Sequence, residues 1–253
     1  MIRRLRRRLL HRDRPLSGAD LERRFPDFDP EFAALFDACR HATMTAAERG
    51  YALYKAVEYI TRAEIAGDFV ECGVWRGGSL MMMALALRHF GANPRRLHAF
   101  DTFAGMPPPG PRDVRHDTGE PASERLAKTP RSENSIEWAL APIDVVRANM
   151  AATGYPAELT SYHPGLVEET LPVEAPERIA LLRLDTDWYE STKHELIHLY
   201  PRLVSGGVLI IDDYGFFRGA RQATDEYFAE IDEAILLNRT DNSGRIAIKP
   251  PQA

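Results

Sequence analysis

The sequence holds little cysteine and no long apolar run. Its two cysteines, Cys39 and Cys72, lie 33 positions apart, outside any metal-binding or redox spacing. Cys72 falls in an apolar run that reads as a buried strand, so neither a disulfide framework nor a reactive thiol is expected. No stretch approaches the roughly 20 apolar residues that cross a bilayer, which argues against an integral membrane protein. The opening MIRRLRRRLLHRDRP lacks the apolar segment of a secretory signal, so the expected location is cytoplasmic. G-x-S-x-G is missing, leaving a serine nucleophile elbow without support. G-x-G-x-x-G is missing too, which disfavours dinucleotide binding.

What is present suits one large globular domain: 253 residues, 44% hydrophobic and 27% charged. The formal charge of −5 is unevenly spread. Seven arginines and one acid, Asp13, fall in the first fourteen residues, leaving 25 basic and 36 acidic side chains, a net −11, for the rest. An acidic body excludes a nucleic-acid surface on the folded part. Residues 1–15 form a basic tail. If it is helical, Ile2, Leu5 and Leu9 share a face, so weak peripheral contact of residues 1–14 with an anionic membrane stands beside the simpler reading of a solvated tail.

Residues 16–66 read as a helical extension. Thr45-Ala46-Ala47-Glu48 has the pattern of a capping box, and Tyr51, Tyr54, Val57, Ile60 and Ile65 follow at helical spacing over about 46–65. Over 67–253 strands and helices alternate. Strands are expected at 68–73, 96–101, 158–163, 178–185 and 207–212, with helices at 78–90, 141–153, 190–203 and 218–231. A closing hairpin joins 234–237 to 245–248 across Asp241-Asn242-Ser243-Gly244. This is an α/β pattern, a mostly parallel sheet covered on both faces with an antiparallel edge. The Pro- and Gly-rich stretch 102–135 exceeds ordinary connection lengths and is a candidate lid.

Ligands of open parallel sheets bind beyond the carboxyl ends of the strands, and here those ends are acidic. The first closes with Glu71, Gly73, Trp75, Gly77 and Ser79, the second with Asp101 and Thr102. An acid at the first turn repels phosphate and suits an ammonium or sulfonium, while Asp101 suits ribose hydroxyls. Taken singly, Glu71 equally suits a solvated strand residue and Asp101 a turn cap. Asp185-Thr186-Asp187 and Asp212-Asp213 close two further strands, 27 residues apart with one helix between. Converging carboxylates call for a cation, and all-oxygen ligation suits Mg²⁺, with Mn²⁺ or Ca²⁺ as substitutes. Asp187 and Asp213 also suit helix N-caps. Asp185-Thr186-Asp187 alone matches the short D-x-D of metal-dependent glycosyltransferases, a reading that leaves Glu71, Gly73, Gly77 and Asp101 unexplained.

The runs DFVECGVWRGGSL, FDTFAGMP, LLRLDTDWYEST and GGVLIIDDYG, in this order between Thr43 and Phe228, resemble the TylF/MycF/NovP family of metal-dependent, S-adenosylmethionine-dependent sugar O-methyltransferases. The resemblance implies a class I methyltransferase (Rossmann-like) seven-stranded sheet, with S-adenosyl-L-methionine at the first two strand ends. It implies Mg²⁺ on Asp185, Asp212 and Asp213 and Asp187 as general base, with Asp185 the other candidate for the proton. It further implies a sugar or glycoside acceptor and a homo-oligomer. Catechol methyltransferases are also similar, but their lysine base, three residues after the first ligand, is replaced here by Trp188.

Overall fold

A computed structural model describes residues 18–127, 131–132, 135–136 and 139–251. The basic tail 1–15 and parts of the 102–135 stretch lie outside the described residues.

Helices α1 (Gly18–Arg24), α2 (Pro30–Cys39) and α3 (Ala47–Arg62) precede the first strand. Pro30 opens α2, where a missing N–H costs no helical bond. α3 buries Leu53, Tyr54, Val57 and Ile60 along one stripe. The capping box expected at its start does not form, because Ala46 holds the N-cap position and no side chain caps it. Thr45 is drawn elsewhere, its hydroxyl accepting a hydrogen bond from the Arg183 guanidinium at 3.2 Å.

The alternation continues through β1 (Asp68–Cys72), α4 (Gly78–His89), β2 (Leu97–Asp101), α5 (Ala122–Ala127), α6 (Ile143–Ala152), β3 (Thr160–Pro164) and α7 (Val167–Thr170). It ends with β4 (Ile179–Leu184), α8 (Tyr189–Leu199), β5 (Leu203–Ile211), α9 (Arg218–Glu230), β6 (Asn238–Arg239) and β7 (Arg245–Ile248). The sheet order is β3-β2-β1-β4-β5-β7-β6, parallel from β3 to β5 and antiparallel through β7 and β6. This is the mostly parallel seven-stranded sheet expected from the sequence. Three details differ. β5 starts at Leu203, four residues early, because Leu203 pairs with Ile179 before the register shifts. The hairpin pairs at Asn238–Arg239 rather than 234–237, since Ile235 and Leu237 pack on the core instead. Within 102–135 stand α5 and a two-residue antiparallel pair, 131–132 with 135–136.

Two apolar layers sandwich the sheet. One packs α2, α3, α4 and α6 through Phe32, Tyr54, Leu80, Met83 and Val146; the other packs α8 and α9 through Leu196, Leu199, Tyr200 and Phe228. The N-terminal helices therefore share a core with strand residues Phe69 and Leu181. Among the described residues no helix is long and apolar enough to cross a membrane. The strand order reverses at β1, whose neighbours β2 and β4 connect in opposite directions, and the crevice for a ligand opens there.

Phe32 is fully buried against Phe28, Phe36, Tyr51 and Tyr54. Phe32→Ala is expected to cost about 3–5 kcal/mol in urea denaturation, still as a single transition because the extension shares the core.

Candidate active site

Register explains why distant acids meet. Glu71 pairs across the sheet with Arg183, and Arg183 with Ile210. Side chains alternate faces along a strand, so Glu71, Arg183, Asp185 and Asp212 fall on one side at the strand ends. Gly73, at φ 80°, lets β1 end hard against β4: a Cβ there would overlap the Asp185 carbonyl oxygen. Asp187 also takes a positive φ, 69°, a conformation Asp tolerates better than most residues.

Two adjoining cavities open at these ends. The first, about 700 Å³, is walled by Gly73, Asp101, Thr102, Gly105 and Met106, among others. The second, about 780 Å³, is walled by Arg49, Glu71, Ser79, Asp212 and Asp213, with aromatic rings from Phe216 and Phe217. Met44, Trp75, Asp185 and Asp187 face both. Of the residues expected around a cofactor, the first cavity thus gathers Gly73, Trp75, Asp101 and Thr102. Glu71 and Ser79 stand in the second, and Gly77, at φ 86°, forms the turn into α4 without lining either. Asp101 is a turn cap as well as a wall residue: its carboxylate accepts the backbone N–H groups of Val74 at 2.6 Å, Trp75 at 3.0 Å and Phe103 at 2.7 Å. Asp187 and Asp213 are not helix N-caps, since Trp188 and Phe217 hold those positions.

A buried guanidinium organises the acids. Arg183 lies 2.6 Å from Glu71, 2.8 Å from Asp185 and 2.6 Å from Asp212. Glu71 is accordingly not a solvated strand residue; one oxygen is on Arg183 and the other, Oε2, is buried without a hydrogen-bond partner. Arg49, from α3, pairs with the second oxygen of Asp212 and lies 3.0 Å from Asp241. Asp212, expected as a metal ligand, therefore has both oxygens taken by guanidinium groups. Carboxylate oxygens of Asp185, Asp187 and Asp213 approach within 4.8 Å of one another. Burial pushes the Asp187 carboxyl up to about 7, and burial with like-charged neighbours raises Asp185 and Asp213 well above the carboxylate range. Asp213 Oδ2 is buried with no hydrogen-bond partner. An all-oxygen trio with an orphaned oxygen and mutual repulsion fits a hard divalent cation.

Sequence reasoning missed Arg183, Arg49 and Glu195. Glu195 is fully buried on α8, accepts the Thr186 hydroxyl at 2.9 Å, and burial raises its carboxyl well above the usual carboxylate range. A lone arginine inside the apolar run of β4 was one available signal, because a buried charge requires a partner; the H-E-x-x-H string His194-Glu195-Leu196-Ile197-His198 was another, pointing to Glu195.

A family model described as macrocin O-methyltransferase (TylF) matches residues 29–246. The chain belongs to the TylF family. It is an O-methyltransferase. It is 33% identical over 236 residues, 93% of this chain and 86% of the relative, to the 8-demethyl-8-(2,3-dimethoxy-alpha-L-rhamnosyl)-tetracenomycin-C 4′-O-methyltransferase of Streptomyces olivaceus. It is 34% identical to the demethyldecarbamoylnovobiocin O-methyltransferase of Streptomyces niveus, over 80% of this chain and 73% of that one. Among solved structures, the O-methyltransferase NovP matches with a TM-score of 0.72 at 30% identity, covering 83% of each chain. CalS11, a calicheamicin methyltransferase, shares the fold at 19% identity and a TM-score of 0.63. These relatives leave the D-x-D glycosyltransferase reading of this TylF-family chain without support.

Without a cation, burial raises the Glu71 and Asp187 carboxyls to about 7, so the folded state keeps protons that the unfolded chain releases near pH 4. Stability in EDTA is therefore expected to fall as pH rises from about 4 to 7, and Mg²⁺ to offset the fall at the upper end. Urea midpoints at both pH values, with and without Mg²⁺, measure this.

Proposed function

We propose that this chain transfers a methyl group from S-adenosylmethionine to a sugar hydroxyl of a small glycosylated natural product, at an acidic site that takes Mg²⁺, with Mn²⁺ as substitute. The shared wall carries the reading: Met44, Trp75, Asp185 and Asp187 face both cavities, so ligands held in the two would meet at the acids. The first cavity suits the adenosyl ligand, with Gly73 admitting close approach and Asp101 keeping acceptor capacity for ribose hydroxyls beyond its three backbone bonds. The second suits the acceptor, with Trp75, Phe216 and Phe217 as apolar faces for a sugar ring. The relatives' names, a rhamnosyl-tetracenomycin 4′-O-methyltransferase and a mycinamicin III 3″-O-methyltransferase among them, support a glycoside.

Asp185, Asp187 and Asp213 would hold the cation, and Asp212 is open to it only in competition with Arg49. When bound, the cation supplies Lewis-acid polarisation of the acceptor hydroxyl. Asp187 takes the proton as the hydroxyl oxygen attacks the methyl carbon in line with the departing sulfur. Asp185 is held by Arg183 at 2.8 Å, whereas no ion pair to Asp187 occurs among the described residues, which favours Asp187 as the base. The two adjoining cavities fix the approach of the two partners.

Incubation with S-adenosylmethionine, Mg²⁺ and glycoside acceptors should yield a methylated product by mass spectrometry, and EDTA should abolish it. Asp187→Asn should lower kcat by about 10²–10⁴ while leaving cofactor binding in calorimetry unchanged. Full turnover in EDTA would remove the cation, and full turnover of Asp187→Asn would remove this base.

A further inference from the structure

One buried carboxylate plays no part in that mechanism. Asp113 is 1% exposed, in the segment between β2 and α5. Its Oδ1 accepts the backbone N–H of Tyr189, the first residue of α8, at 2.8 Å, and its Oδ2 accepts that of Gly110 at 2.6 Å. Gly219, in the first turn of α9, touches the same group: a Cβ there would overlap Asp113 Oδ1. A single carboxylate thus reaches the starts of both helices that follow the acidic turns at 185–187 and 212–213, where helix dipoles favour a negative charge. Polar bonds extend the seam on either side. The Trp188 indole donates to the Pro107 carbonyl at 3.0 Å, His116 N–H to the Phe216 carbonyl at 2.9 Å, and Arg218 N–H to the Val114 carbonyl at 2.9 Å. The same segment brings Gly105, Met106 and Pro107 into the wall of the first cavity.

We propose that Asp113 is a positioning residue of the cofactor pocket: it pins the 105–116 segment to the starts of α8 and α9, and thereby sets how tightly an adenosyl ligand is held under the Gly105–Pro107 wall. The inference rests on the first cavity being the S-adenosylmethionine site. Asp113 touches no cavity itself and acts through the wall. Its bonds are charge-assisted, and alanine in its place leaves the Tyr189 and Gly110 N–H groups without their acceptor. Asparagine keeps an acceptor for one of the two, so it should fall between wild type and alanine.

The test is calorimetric titration of S-adenosylhomocysteine into the full chain and its Asp113→Ala, Asp113→Asn, Gly219→Ala and doubly substituted variants, with tryptic cleavage after Arg115 followed in parallel. Asp113→Ala should weaken S-adenosylhomocysteine about tenfold and speed cleavage in the segment, with Asp113→Asn intermediate. Gly219→Ala should reproduce the defect chiefly by displacing the carboxylate, and its effect should shrink once Asp113 is already alanine, when only the tight contact of the new Cβ with Tyr189, 3.1 Å from its N, is left, a non-additivity that general destabilisation does not produce. If Asp113→Ala fails to fold, Asp113→Asn and Gly219→Ala decide the matter by the same two readouts. Folded variants that bind S-adenosylhomocysteine as wild type does, with an equally resistant segment, would overturn the inference. A wild-type chain that binds no S-adenosylhomocysteine would instead overturn the assignment of the pocket, and the role of Asp113 in it.

Discussion

Arg183 sits in the middle strand of the sheet, its guanidinium between Glu71, Asp185 and Asp212 at 2.6–2.8 Å. Burying one such charge costs several kcal/mol unless its partners are close and well aligned, and here three carboxylates from three neighbouring strands supply them. The dependence runs both ways. Without the guanidinium, the acids closing β1, β4 and β5 would face one another in a crevice with little water to screen them. With it, Asp185 and Asp212 stay in place, and Asp187 and Asp213 complete a trio of carboxylates with Asp185. Arg183 also draws in Thr45, so the chain entering α3 is tied to the site at the expense of a helix cap.

From that centre the rest of the site is layered outward. The two acids that face both cavities, Asp185 and Asp187, follow β4 directly, and their place in the crevice is set by the strand-end bonds from Asp185 N–H to the Cys72 carbonyl and Asp212 N–H to the Leu184 carbonyl. Asp101 fastens the first turn to β2, which fixes one flank of the first cavity's wall. Asp113 fastens the opposite flank to α8 and α9. The N-terminal extension adds Met44 and Arg49 to the walls, which places part of the second cavity on a segment outside the alternating β-α frame.

Much of this was legible in the sequence, and for physical reasons. Apolar strands that end abruptly in Asp185, Asp212 and Asp213 mark the carboxyl edge of a parallel sheet, and glycines after Glu71 mark the tight turn at its switch point. Periodicity located the helices because α3, α8 and α9 each bury one stripe. Pairings between remote segments were not legible. Arg49 and Asp212 are 163 residues apart, and Asp113 and Tyr189 are 76 apart; nothing local in either partner announces the other. Glu71 stands at the strand end the sequence indicates, but its ion pair with Arg183 was not legible, because its neighbour across the sheet is known only once β1 and β4 are paired. Thr45 illustrates the same limit at short range, where a local capping pattern lost to a charged donor from β4.

The dependence on Arg183 is tested most directly by urea denaturation of Arg183→Met in EDTA at pH 7.5. Methionine keeps the volume and removes the charge, leaving Glu71, Asp185 and Asp212 without their common partner. A loss of about 3–5 kcal/mol relative to wild type is the predicted result. A variant as stable as wild type at that pH would contradict the account.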